Sequence, residues 1–253
     1  MPKLFIFDLD DTLMWNEYTY SLATIEFLQY ILEIFQHRAP FAGDIAQMIA
    51  ETSHRLLKEK NPTTGLPYGF SINRFPDTLV QSYRTLCENG WGEYQDRHAN
   101  HIHNIGMRSF DEELYLKQGM VPGAIEVINF LQDKGDILVL LTKGDPRVQE
   151  RKIKALDLGH WFKEIKVVDG KTKEMFKQFT NGHSAETVYS VGNSFSSDIR
   201  PALDAGCSAI FIPCFTWRAE SIDVDQLTES EKKRLFEIKN ISEIVEIYNN
   251  LRG

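Results

Sequence analysis

Short, unbroken apolar runs punctuate this chain. They fall at Lys3-Leu-Phe-Ile-Phe7, Ile137–Leu141, Ile165–Val168, Thr187–Val191 and Ala209–Ile212. A strand buried on both faces reads this way, and such strands belong to parallel sheets covered by helices. Helix-length amphipathic stretches lie between the later runs: Val121–Lys134 with Gly135 as its stop, Pro146–Leu156, Thr172–Phe179, and Ser197–Ala205 ending at Gly206. Strand and helix alternating at this spacing predict an α/β fold, a doubly wound parallel sheet with a Rossmann-like core and right-handed crossovers.

Residues 15–119 break that rhythm. Tyr20–Phe35, Ala42–Lys60, Asp77–Asn89 and the stretch from about Gly92 to Asn104 are helical patterns, with a turn-rich segment, Asn61–Pro76, among them. No buried strand run occurs there. The expected organisation is therefore a core built from 1–14 and 120–253, with 15–119 as an inserted all-helical cap domain. Ligands of open α/β sheets bind at the carboxyl ends of the strands, so an insert after the first strand is placed to act on that site.

Composition excludes several classes. Of 253 residues, 42% are hydrophobic and 25% charged, with a formal net charge of −8. That is an ordinary globular balance, not a disordered or fibrous one. An acidic chain is poorly suited to clamping nucleic acid through its phosphates. The apolar runs are too short to span a bilayer, so neither nucleic acid nor membrane is an expected partner. Three cysteines, Cys87, Cys207 and Cys214, show no CxxC spacing, and the start lacks a secretory pattern. Both observations point to a reducing, cytoplasmic setting. Cys207 and Cys214 read as small buried apolar residues. Oligomeric state is not legible.

The chemistry is concentrated at strand ends. Asp8-Leu9-Asp10-Asp11-Thr12 directly follows the first run. Side chains alternate along a strand, so Asp8 and Asp10 are expected to point the same way at its carboxyl end. Two adjacent carboxylates repel and call for a cation or a proton, and Mg²⁺ with oxygen ligands suits them. One carboxylate can attack phosphorus while the other exchanges protons with the leaving group. Taken alone, Asp-x-Asp is equally a solvated acidic turn.

The order of motifs along the chain resembles the haloacid dehalogenase-like hydrolase superfamily, in its phosphatase branch with a helical cap between the first two motifs. Asp8, Asp10 and Thr12 match the first motif. Thr142 in Leu140-Leu141-Thr142-Lys143-Gly144 matches the second. Lys171 or Lys173 in Gly170-Lys171-Thr172-Lys173 supplies the third, and Gly192-Asn193-Ser194-Phe195-Ser196-Ser197-Asp198 the fourth. The resemblance implies a nucleophilic Asp8 and an acid–base Asp10. It implies that Thr142 and the Leu9 and Lys143 segments contact the phosphoryl group, with Lys171 neutralising charge. It also implies Mg²⁺ held by Asp8, Asp10, Asn193 and Asp198. Dehalogenase members lack the second carboxylate, so Asp10 favours a phosphatase acting on a small phosphorylated metabolite. A phosphomutase or phosphonatase, or a binding protein of the same fold, are the alternatives.

Asn193 departs from the family's usual Asp. Its carbonyl can still serve a hard cation, and Asn193 with Asp198 is preferred here over a crippled site. Lys171 is preferred to Lys173 because it lies nearer the strand end at Val168. Gly170-Lys171-Thr172 mimics the tail of a P-loop, but Ile165 stands where that motif needs its first glycine. Arg74, in the turn-rich cap segment, and Trp217, after the last run, are candidate substrate contacts. Trp15 and Tyr18 are entrance or hinge aromatics. His98, His101 and His103 read as a surface helix, not a metal site, and Ser208 lacks a nucleophile-elbow context.

Overall fold

The computed structural model describes residues 2–214 and 227–252. The chain forms two compact units, one from Met1–Asn16 with Gln118–Gly253, the other from Glu17–Lys117.

The first unit is a parallel sheet with strand order β3-β2-β1-β4-β5-β6. Its strands are β1 (Leu4–Phe7), β2 (Ile137–Lys143), β3 (Glu164–Val168), β4 (Val188–Gly192), β5 (Ser208–Phe211) and β6 (Leu235–Glu237). β1 is central: Leu4 pairs with Ile137 on one side and Val188 on the other. Its four residues are all buried, and each such side chain contributes about 1.5–3 kcal/mol of transfer free energy. Alternation sorts them. Leu4 and Ile6 pack with Val139, Leu141, Val188, Phe176 and Ala202. Phe5 and Phe7 build an aromatic layer, with Phe5 stacked on Tyr189 and Phe7 edge-on to Phe162. β6 is absent from the sequence expectation, because a three-residue, partly exposed strand carries no unbroken apolar run.

The helices of the two units, in chain order, are α1 (Asn16–Phe35), α2 (Ala42–Leu56), α3 (Arg74–Glu88), α4 (Asp96–Met107), α5 (Glu112–Gln118), α6 (Ala124–Asp133), α7 (Pro146–Ala155), α8 (Lys173–Phe179), α9 (Arg200–Asp204), α10 (Glu229–Lys232) and α11 (Glu243–Ile247). The helix expected over Ser197–Ala205 is instead a π-helical turn, Phe195–Ile199, running into α9. Among the described residues, no helix is long and apolar enough to cross a membrane.

In the helical unit, α3 and α4 meet at Gly106. A Cβ there would lie 2.6 Å from the Pro76 Cα, so only glycine permits this approach. Tyr83 stacks with Phe35 and Tyr94, and Tyr68 donates its hydroxyl hydrogen to Asp77 at 2.7 Å. Cys207 is buried, and burial pushes its thiol up to about 11. Cys214 is exposed, which corrects the expectation of a buried residue: it lies past the end of β5, beyond the sheet's cover.

Candidate active site

The chain leaves β1 through a tight turn. Asp8 still pairs in the sheet, its N–H donating to the Val191 carbonyl at 2.9 Å. The Leu9 carbonyl then accepts from Thr12, Leu13 and Met14. Asp11 sits at φ 57°, a left-handed conformation that Asp tolerates better than most residues. β1 stops at Phe7, so strand alternation does not set the two carboxylates. The turn does, and it gives them different partners. The Leu9 side chain is fully buried, leaving only its backbone for any contact with a ligand.

Asp8 meets Lys171. The Lys171 Nζ donates to Asp8 Oδ1 at 2.6 Å and to Asp198 Oδ1 at 2.5 Å, and its side chain is 2% exposed. Lys171 lies in the loop between β3 and α8. Lys173 opens α8 and is exposed. Burial pushes the Asp8 carboxyl up to about 7, with Lys171 opposing and Asp198 and Asp10 adding to the rise. Burial would lower the Lys171 ammonium, but Asp198 and Asp8 together hold it above its ordinary value.

β4 delivers the third group. A Cβ on Gly192 would fall 2.3 Å from Asp198 Oδ2, so glycine here makes room for that carboxylate. Asp198 Oδ2 also accepts the Ser194 N–H at 3.0 Å. Thr12 Oγ1 lies 3.5 Å from Asp8 Oδ2 and 3.4 Å from Asn193 Oδ1, which brings the Asn193 carbonyl into the same cluster.

β2 delivers Thr142 and Lys143. The Lys143 Nζ donates to Ser197 Oγ at 2.9 Å. After Gly144, Asp145 caps α7 by accepting the Arg147 N–H at 3.0 Å, with Pro146 in the first turn. α7 carries two residues that the sequence reading passed over, Gln149 and Lys152. Lys152 Nζ donates to Asp10 Oδ1 and Oδ2 at 2.8 and 2.9 Å. Gln149 Nε2 lies 3.0 Å from Asp10 Oδ2 and 2.9 Å from both Thr142 Oγ1 and the Lys143 carbonyl. The available signal was α7's amphipathic pattern, in which both polar side chains share the buried face with Val148.

Asp8, Leu9, Asp10, Thr142, Lys143, Lys171, Asn193 and Asp198 thus lie in one unit. Arg74 lies in the other. It does not sit in a reaching loop but opens α3, with its guanidinium turned inward to donate to Ser53 Oγ at 2.7 Å. Trp217 lies outside the described residues. Trp15 and Tyr18 are half exposed. His98 bonds Tyr30 through Nδ1 at 2.7 Å, and the His101 ring lies tilted against the same tyrosine ring.

The donors around Asp8 are hard oxygens, which suit Mg²⁺. Asp10's carboxylate is engaged by α7, so its backbone carbonyl is the part left to offer a cation. Among the described residues no group of three or more His, Cys, Asp or Glu is placed to hold a metal. A cation here would therefore draw on the Asn193 amide, backbone carbonyl and water besides Asp8 and Asp198.

The sequence matches the model of the haloacid dehalogenase-like hydrolases over residues 2–206. No curated protein matches it. Among solved structures, a haloacid dehalogenase-like family hydrolase of Xanthomonas campestris is 24% identical, with a TM-score of 0.70 over 99% of this chain and 91% of that one. The magnesium-bound HAD-hydrolase YfnB of Bacillus subtilis is 22% identical, with a TM-score of 0.60 over 98% and 99%. A 2-haloacid dehalogenase of Pseudomonas syringae is 21% identical, with a TM-score of 0.58 over the whole of both chains. At these identities the likeness is one of fold.

Proposed function

Because the chain belongs to the haloacid dehalogenase-like hydrolases, we propose that it is a Mg²⁺-dependent phosphatase that hydrolyses a small phosphomonoester through an aspartyl-phosphate on Asp8. The observation that carries this reading is the pair of carboxylates with separate supports. Asp8 is held by Lys171, and Asp10 is held by α7 beside Thr142. A dehalogenase needs the first carboxylate alone; a second, separately positioned, suits proton transfer to and from a phosphate ester.

Each residue then has a role. Asp8 Oδ attacks phosphorus. Asp10 gives a proton to the departing alkoxide and later takes one from the water that attacks the aspartyl-phosphate. Thr142 and the backbone at Leu9 and Lys143 bind phosphoryl oxygens, and Lys171 offsets the charge that gathers between Asp8 and the phosphate. Bound Mg²⁺, held by Asp8, the Asp10 carbonyl, Asn193 and Asp198, would supply further positive charge at the phosphoryl group. The choice of substrate is assigned to the inserted helical unit, and Trp217, after the last apolar run of the core, is a candidate aromatic contact. The setting is cytoplasmic, and neither nucleic acid nor membrane is a partner.

The test is release of p-nitrophenol from p-nitrophenyl phosphate. Turnover should require Mg²⁺, vanish with EDTA, and fall in Asp8→Asn by about 10⁴-fold or more. A protein that only binds ligands would match its Asp8→Asn variant throughout, and metal-independent turnover would remove the Mg²⁺ assignment.

Asn193 gives a further prediction. Asn193→Asp restores one negative charge beside Asp8, so the Mg²⁺ concentration giving half-maximal activity should drop by about ten-fold, equivalent to ~1.4 kcal/mol. An unchanged Mg²⁺ titration would place Asn193 outside the cation's contacts.

A further inference from the structure

We propose that Gln149 and Lys152 form a seat on α7 that holds the Asp10 carboxylate in position for proton transfer. The inference rests on the phosphatase reading above and makes both side chains positioning residues.

The two sit three residues apart, on one face of the helix. Both are buried, and the Lys152 side chain is only 2% exposed. Burying an ammonium is costly unless it is paired. Lys152's neighbours on α7, Arg151 and Lys154, stay at or near the surface. Lys152 turns inward and places Nζ within hydrogen-bond distance of both Asp10 oxygens.

Gln149 fixes the register. Its Nε2 touches Asp10, Thr142 and the Lys143 carbonyl, which ties the proposed acid–base group to the end of β2. Gln149 Oε1 is buried without a hydrogen-bond partner among the described residues. Gly144, at φ 153°, leaves the space: a Cβ there would lie 3.0 Å from Gln149 Nε2.

The seat serves two steps. As the bond between phosphorus and the leaving oxygen breaks, Asp10 passes its proton to that oxygen and becomes a carboxylate. It then takes a proton from water as the water oxygen attacks phosphorus, which frees Asp8 as a carboxylate and releases inorganic phosphate. Both transfers need Asp10 within hydrogen-bond reach of the moving proton.

The test compares two esters of similar shape. p-Nitrophenyl phosphate has a weakly basic leaving group that departs without a proton, whereas benzyl phosphate releases a strongly basic alkoxide that needs one. Gln149→Met and Lys152→Met should each lower kcat/KM for benzyl phosphate by about 100-fold, the lower end of what general acid catalysis supplies. The loss on p-nitrophenyl phosphate should be at least ten times smaller. Gln149→Met replaces neutral with neutral and leaves no charge unpaired, so it carries the test if Lys152→Met fails to fold. Equal losses on the two esters, or none on either, would overturn the seat. Absence of Asp8-dependent turnover in the parent protein would sink the phosphatase reading, and the seat with it.

Discussion

Asp8→Asn should lower kcat for p-nitrophenyl phosphate by about 10⁴-fold or more, because it removes the atom that forms the covalent bond and leaves only binding and electrostatic stabilisation. Stability should respond in the opposite sense. The carboxyl's native pKa, about 7, stands above its ordinary 3.8, so in the folded protein it binds its proton more tightly than in the unfolded chain. Its contribution to stability is fully present below 3.8 and is lost as pH rises through about 7. The amide variant does not suffer that loss. In metal-free buffer its melting temperature should equal or exceed the parent's at pH 8, with the gap closing towards pH 4. Residual activity above a hundredth of the parent's would show that Asp8 is not the nucleophile.

Lys171→Met should have the second-largest effect, and on two quantities at once. The Lys171 Nζ bridges Asp8 and Asp198, and its side chain and that of Asp198 are each only 2% exposed. Removing it leaves two nearby carboxylates without their shared cation. Breaking a buried ion pair from one side costs about 3–5 kcal/mol. A large drop in melting temperature at pH 8 is expected, recovering as pH falls and Asp8 takes up its proton. Millimolar Mg²⁺ should recover part of it by supplying a replacement cation. Activity should fall by about 10³-fold, comparable with losing one strong electrostatic contact to the transition state. A variant as stable and as active as the parent would remove Lys171 from the site.

The parts of this architecture that were legible in the sequence are those where local pattern and burial agree. β1, β2, β4 and β5 are buried nearly throughout, so their unbroken apolar runs stand out. Asp8, Thr142 and Asn193 were legible because each sits at or just past the end of such a run. Nearness to β3 singled out Lys171 over Lys173. Other features depend on tertiary contact. Arg151, Lys152 and Lys154 are all basic residues of one short helix, and only the four-residue spacing from Val148 marks Lys152 as the one turned inward. Arg74 reads as a loop residue because Pro76 follows closely, yet Pro at the start of a helix is well tolerated, and the helix begins at Arg74 itself. The different partners of Asp8 and Asp10 follow from a left-handed turn at Asp11, which alternation cannot anticipate.

The central place of β1 has a consequence for how the chain reaches its native state. Leu4 finds its neighbours at Ile137 and Val188, so pairing must wait until both distant segments exist and have been brought together. Contacts so remote in sequence are slow to close. The segment bearing Asp8 and Asp10 is thus locked late, whereas the helical unit Glu17–Lys117 is one continuous stretch of chain. An apolar tetrapeptide therefore gains its first sheet neighbour only from β2 and its second only from β4, each more than a hundred residues away along the chain.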